Sequence, residues 1–205
     1  MVHVGITLQQ FSQMKDRLGG ARRSATPVFQ AIERGSVAVH QVILGLDPSL
    51  RSTGFGVIRV AKPHPLALIH GRITCPSVWP HSNCLVKIAQ KLRELVRQYH
   101  PAVCVVEGLF YAQNLQTAIV LGEARGAALA TIAESGVEIY EMAPRRVKQA
   151  IVGYGAAHKL AVAKMVQRLL NLSKPPEPDA ADALALALAH AQEQGRYGLS
   201  APKRI

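Results

Sequence analysis

Four acidic residues stand where a chain can do chemistry. Asp47 closes the apolar run Val42-Ile43-Leu44-Gly45-Leu46 and directly precedes Pro48-Ser49-Leu50-Arg51-Ser52-Thr53-Gly54. Glu107 closes Val103-Cys104-Val105-Val106, and Asp179 and Asp182 open a very apolar helical segment. With 13 acidic residues against 24 Lys plus Arg, carboxylates at strand and helix ends are informative. Taken alone, Asp47 is as readily a turn residue as a functional one, since Asp-Pro favours turn initiation. A carboxylate closing a wholly apolar central strand is desolvated unless it meets a cation, so at Glu107 the functional reading leads. Asp179 and Asp182 also suit the positive end of a helix macrodipole, with Pro178 at the first helical position. Their i, i+3 spacing nevertheless puts both on one face of a helix that is apolar nearly all round. Buried carboxylates that close repel one another unless a cation neutralises them. Jointly the four suggest oxygen ligation of a divalent metal, magnesium or manganese, and the absence of a matching Cys/His set argues against zinc. Two such ions about 4 Å apart can activate a water and stabilise the leaving oxygen of a phosphoryl displacement.

That chemistry needs a phosphodiester, and the charge balance gives a reason for one to be present. The formal charge is +11 and the sequence pI about 10.0. Residues 1–40 contribute +3 and residues 191–205 contribute +2, which leaves +6 for the central region. A basic globular chain without a membrane signal points first to nucleic acid, although basic charge alone is common among soluble proteins. The 49% hydrophobic composition fits a globular domain. No run approaches the roughly 18 apolar residues of a membrane span, and the first segment lacks an apolar signal region. A cytoplasmic protein that does not meet membrane is expected. Three cysteines, Cys75, Cys84 and Cys104, show no C-x-x-C spacing, which speaks against a disulfide framework or structural zinc.

The elements that must position the carboxylates follow from periodicity. Residues 1–40 have no sustained apolar period and read as a weakly ordered extension, with short helical turns near 8–17 and 27–34. From Gln41 the pattern changes: strands to Asp47, over Thr53–Val60 and over Ala67–Thr74 form a meander. An amphipathic helix over Ser82–Tyr99 carries Leu85, Ile88, Ala89, Leu92, Leu95 and Val96 on one stripe, and Pro101 lies just past it. A buried strand over Ala102–Glu107, a helix over Asn114–Ser135 and a short strand over Val137–Tyr140 come next. A helix from Pro144 is broken at Gly153-Tyr154-Gly155 and resumed over Ala157–Leu170. The last helix runs from about Asp179 to Gln192. This order predicts an α/β domain over 41–192, a mixed five-stranded sheet flanked by helices, followed by a basic tail over 193–205.

Five ordered blocks resemble the RuvC Holliday-junction resolvases. They are Leu44 to Ile58, Val106-Glu107-Gly108-Leu109-Phe110, Leu121-Gly122-Glu123-Ala124-Arg125-Gly126, Val147 to Gly153, and Asp179-Ala180-Ala181-Asp182-Ala183-Leu184-Ala185. The resemblance covers roughly residues 41–192. It implies the ribonuclease H-like α/β fold, an active homodimer, four-way junction DNA as substrate and branch-migration motor proteins as partners. It also implies paired symmetric nicks by divalent-metal-assisted hydrolysis, in homologous recombination and DNA repair, with two magnesium ions per active site or manganese in their place. The family's catalytic and metal-binding tetrad falls on Asp47, Glu107, Asp179 and Asp182. Asp47 takes the bridging role, Glu107 and Asp182 flank it, and Asp179 ligates or positions water. Phe110 matches an aromatic that stacks near the junction centre, with Tyr111 beside it. Lys148 and Lys159 match basic positions on the DNA backbone, and Arg145, Arg146 and Lys164 are added as a cluster. Gly122 and Gly126 lie on the helix that forms the family's dimer interface, although packing on their own sheet would equally call for small residues. Two departures stand out: the usual Asp-Pro-Gly reads Asp47-Pro48-Ser49, and the usual Glu-Gln reads Glu107-Gly108.

Other readings remain open on the sequence. A ribonuclease H-like nuclease acting on RNA would suit a chain without the Phe110 and Lys148 blocks. A junction-binding protein that does not cut would lack one of the carboxylates. An actin-like ATPase would need a second comparable domain.

Overall fold

The computed structural model describes residues 41–108, 114–194 and 202–205. The chain divides into two units, Met1–Ser36 and Val37–Ile205, and every element below belongs to the second. The extension expected over 1–40, with its helical turns, lies outside the described residues.

Near-continuous apolar runs make the central strands, as expected where both faces of a sheet are covered. The first five strands are β1 (Val42–Asp47), β2 (Ser52–Arg59), β3 (Leu66–Thr74), β4 (Val103–Glu107) and β5 (Glu138–Met142), of which β1, β2 and β4 are buried along nearly their whole length and β3 is largely half-exposed. The helices are α1 (His81–Tyr99), α2 (Leu115–Glu134), α3 (Pro144–Val152), α4 (Lys159–Leu169) and α5 (Pro178–Glu193). Local signals set their ends. Asn114 caps α2 by accepting the Thr117 amide at 2.8 Å. Pro144 and Pro178 sit in the first turns of α3 and α5, and Gly153 ends α3 in the left-handed region at φ 98°.

The strand order is β3-β2-β1-β4-β5-β6. The meander β1-β2-β3 is antiparallel, and β1, β4 and β5 run parallel. The sheet therefore has six strands where five were expected. The sixth, β6 (Lys203–Arg204), pairs antiparallel with β5 inside the stretch read as a basic tail. Two exposed cationic residues carry no apolar period that could announce a strand. The Ile205 amide bonds Ile139 O at 3.0 Å and Arg204 pairs with Glu138 at 2.8 Å, which holds β6 on the sheet edge.

Because strand side chains alternate, the sheet has two different faces. Leu44, Leu46, Cys104 and Val106 point to α1 and α2, with Ile88, Leu92, Leu95, Ala124, Ala128 and Ile132 beneath them. Ile43, Val103 and Val105 point the other way, to α3, α4 and α5. α5 is buried over Ala180, Ala181 and Ala183 to His190. It lies close to the sheet because the strands beneath it carry glycine. A Cβ on Gly45 would collide with the Ala183 carbonyl, and one on Gly54 with the Asp179 carbonyl. A Cβ on Gly56 would come to 2.6 Å from the Leu184 side chain. The register sets Gly45 opposite Gly56 and Asp47 opposite Gly54. These glycines are where a helix backbone meets the sheet directly.

Candidate active site

Alternation along β1 and β4 sends Asp47 to the same face as Ile43 and Glu107 to the same face as Val103 and Val105. The parallel register that pairs Leu46 with Val106 brings these two carboxylates side by side at the carboxyl ends of their strands. The first two turns of α5, pressed onto Gly45 and Gly54, carry Asp179 and Asp182 to the same rim. The turn reading of Asp47 fails on geometry. The Pro48–Ser52 turn is closed by buried Thr53, whose hydroxyl donates to Ser49 O at 2.5 Å and accepts from the Ser49 amide at 3.2 Å. Arg51 then ties that turn to the carbonyls of Pro76 at 2.7 Å and Trp79 at 3.0 Å. The Asp47 carboxylate takes no part in this.

The two pairs of acids differ in their partners. Asp179 accepts a hydrogen bond from the Ser52 hydroxyl, and Asp182 accepts one from the Lys159 ammonium at 2.9 Å. Neither Asp47 nor Glu107 has a side-chain hydrogen bond among the described residues. Burial pushes the Asp47 carboxyl up to about 7, and the charges of Glu107, Asp182 and Asp179 add to the shift while Lys159 opposes it. Glu107 is raised first by burial and then by Asp182, against the pull of Lys159, Lys148 and Arg125. Lys159 is held above its usual range, chiefly by its bond to Asp182.

As they stand, no three His, Cys, Asp or Glu side chains among the described residues are close enough together to hold an ion. The electrostatics nonetheless fit a divalent cation. The donor set is all oxygen, as magnesium or manganese requires, and the two strand-borne acids are costly to ionise because of burial and their like-charged neighbours. Lys159 supplies a counter-charge that the Asp182 carboxylate bonds.

An open cleft of about 180 Å³ adjoins this rim, lined by Glu107, Lys148, Lys159 and Asp182 with apolar residues of α3, α4 and α5. The expected basic positions separate here. Lys148 and Lys159 enter the cleft. Arg146 does not: it is half-buried in an ion pair with Glu193 at 2.6 Å. Arg145 is exposed on α3 and stacks its side chain over Gly155, and Lys164 is exposed on α4, outside the cleft lining. Phe110 and Tyr111 lie outside the described residues. Gly122 and Gly126 are exposed on α2, with nothing among the described residues within 4 Å of an added Cβ, so packing on their own sheet does not require glycine there. Exposed Leu115 and Ile119 continue the same helix face. Three contributors escaped the reading of the sequence: the Gly45-Gly54-Gly56 bed for α5, Ser52 on Asp179, and buried Arg125. The glycines did leave a signal, since glycine inside a strand marks a close backbone approach.

Carboxylates from a sheet and a helix, meeting beside a lysine-lined cleft on a ribonuclease H-like sheet, define the class as a nuclease-type α/β protein. The model of the family Crossover junction endodeoxyribonuclease RuvC matches residues 43–190, and the chain belongs to that family. A Crossover junction endodeoxyribonuclease RuvC from Protochlamydia amoebophila is 47% identical over 152 residues, covering 74% of this chain and 90% of its own length. One from Rubrobacter xylanophilus is 45% identical over 152 residues, covering 74% and 85%. Among solved structures, T. thermophilus RuvC in complex with Holliday junction substrate superposes with a TM-score of 0.74 at 32% identity. That match covers 81% of this chain and all of the other.

Proposed function

We propose that this chain is a structure-selective endodeoxyribonuclease that resolves four-way DNA junctions by paired nicks. The observation that carries the reading is the convergence of Asp47 and Glu107 from the sheet with Asp179 and Asp182 from α5, in a member of a family of crossover junction endonucleases. Asp47, Glu107, Asp179 and Asp182 are the residues that would hold divalent metal, magnesium or, in its place, manganese, two ions to a site. Bound there, the metal supplies Lewis-acid activation of water and neutralises phosphodiester charge.

The chain's own groups do the rest. Asp47, whose carboxyl is held toward the neutral form by burial and like charges, would be the central ligand, with Glu107 and Asp182 beside it. Ser52 orients Asp179 as a ligand or water-positioning group. Lys148 and Lys159 place the DNA backbone over the rim, and Arg145 and Lys164 extend that contact outside it. Phe110, with Tyr111, stacks on bases near the junction centre. Two copies pair through the α2 face that bears Leu115, Ile119, Gly122 and Gly126, since close helix approach needs small residues and this face is exposed among the described residues. A two-fold dimer suits a junction with two equivalent strands to cut. Branch-migration motor proteins deliver the junction to it.

The test is a labelled mobile four-way junction incubated with purified protein, with and without magnesium. Symmetric nicks that need magnesium are expected, leaving 5′-phosphate and 3′-hydroxyl ends that a ligase seals. Tight binding without cutting under both conditions would sink the nuclease reading and favour a non-cleaving binder. Preferential cutting of an RNA-containing duplex would favour the RNA nuclease.

A further inference from the structure

Arg125 is a buried charge in the middle of α2, only 8% exposed, on the helix side shared by Ala124 and Ala128. Its Nη1 donates to the Glu107 carbonyl oxygen at 2.5 Å, and its Nη2 donates to the Glu141 carboxylate at 2.6 Å. A guanidinium is costly to bury unless acceptors meet its fork. Here both acceptors sit at the ends of neighbouring parallel strands, the last residue of β4 and the next-to-last of β5. The β1–β4 ladder ends at Leu46–Val106, so the Glu107 carbonyl lies past its last pair. The grip comes from behind. α2 packs on the face of Leu44, Leu46, Cys104 and Val106, while the Glu107 side chain points to the α5 face.

Resting on the nuclease reading, we propose that Arg125 is a positioning residue for Glu107: it fixes the end of β4 from the opposite face of the sheet and so aims the Glu107 carboxylate at the metal-binding rim. A lysine cannot substitute, because one ammonium on a flexible stem does not present the planar fork that meets a carbonyl and a carboxylate together. A role through charge alone predicts the reverse of a positioning role. A cation near the site repels incoming metal, so simple loss of charge would tighten metal binding.

The experiment is calorimetric titration of Mn²⁺ into the full chain without DNA, for the parent, Arg125→Gln and Arg125→Lys. Single-turnover nicking of a synthetic four-way junction and junction binding in chelator are measured beside it. Both variants should bind Mn²⁺ roughly 10–100-fold more weakly, the range for losing a group that orients a metal ligand. Nicking should slow in parallel while junction binding in chelator stays unchanged. Unchanged or tighter Mn²⁺ binding in Arg125→Gln, or a parent-like Arg125→Lys, overturns the proposal. Should Arg125→Gln fail to fold, Arg125→Lys keeps the charge and loses the planar fork. It should also weaken Mn²⁺ binding, and parent-like affinity there counts against the proposal in the same way. A parent that neither binds Mn²⁺ nor nicks fails the nuclease reading instead, so the two failures are distinct.

Discussion

The strand-borne acids and the helix-borne acids meet at one rim but live in opposite electrostatic conditions. Asp179 and Asp182 each bond a cognate donor, Ser52 and Lys159. Asp47 and Glu107 have no such bond among the described residues, and both are pushed toward the neutral form, Asp47 to about 7. The chain gives one pair side-chain partners of its own and leaves the other without one among the described residues. A fold that needed only stability would not keep two half-buried carboxylates side by side at the ends of apolar strands.

Removing a strand-borne acid should have the largest effect. Asp47→Asn is expected to lower junction nicking by about a thousandfold or more, the several kcal/mol a metal-assisted step is worth, and to leave junction binding intact. Nicking assays and gel-shift binding on the same junction check both halves.

The bed that carries the helix-borne pair should respond next. Gly45→Ala drives a methyl into the Ala183 carbonyl, and overpacking of this kind costs about 1–3 kcal/mol or more. Denaturant unfolding should show that loss together with weakened nicking. Gly122→Ala, which meets open space on α2, should instead stabilise each folded chain by up to about 1 kcal/mol, the helix propensity difference. Sedimentation would show whether it also disturbs pairing.

The pH dependence of stability tests Asp47 in another way. Asp47 binds its proton at about 7 when folded and near 3.8 when unfolded, so between these values the folded chain holds more protons. Its contribution to metal-free stability is fully present below pH 3.8 and is lost as the pH rises through about 7. Parent and Asp47→Asn should therefore unfold alike near pH 4, and the variant should be the more stable near pH 8. Melts of both across that range give the answer.

The smallest effects concern the basic residues. Lys148→Met should reduce the slope of log affinity against log salt by about one, as for a lost phosphate contact. Arg146→Met should leave that slope unchanged, because its guanidinium is engaged by Glu193.

Much of this was legible in the sequence where a short-range pattern carries the information. The apolar runs ending in Asp47 and Glu107, the stripe of α1 and the Pro-started α5 lie within a residue or two of where periodicity and capping put them. β6 was not legible, since Lys203 and Arg204 join the sheet through backbone pairing alone. The sequence groups Arg146 with its basic neighbours and does not show its ion pair with Glu193, 47 residues away. Ser52 and Arg125 carry no signal in the sequence for the same reason: their significance is the partner, Asp179 or Glu107, that only the fold brings near.

If the strand-borne acids are kept for a metal, metal binding must release protons from them. Metal displaces protons from the carboxylates it ligates. Mn²⁺ titrated into the full chain near pH 6, in buffers of differing ionisation enthalpy, should release close to one proton from Asp47, whose carboxyl titrates at about 7. The same titration of Asp47→Asn should lose that proton. Mn²⁺ binding with no proton release, or with the same release in the variant, would contradict the account.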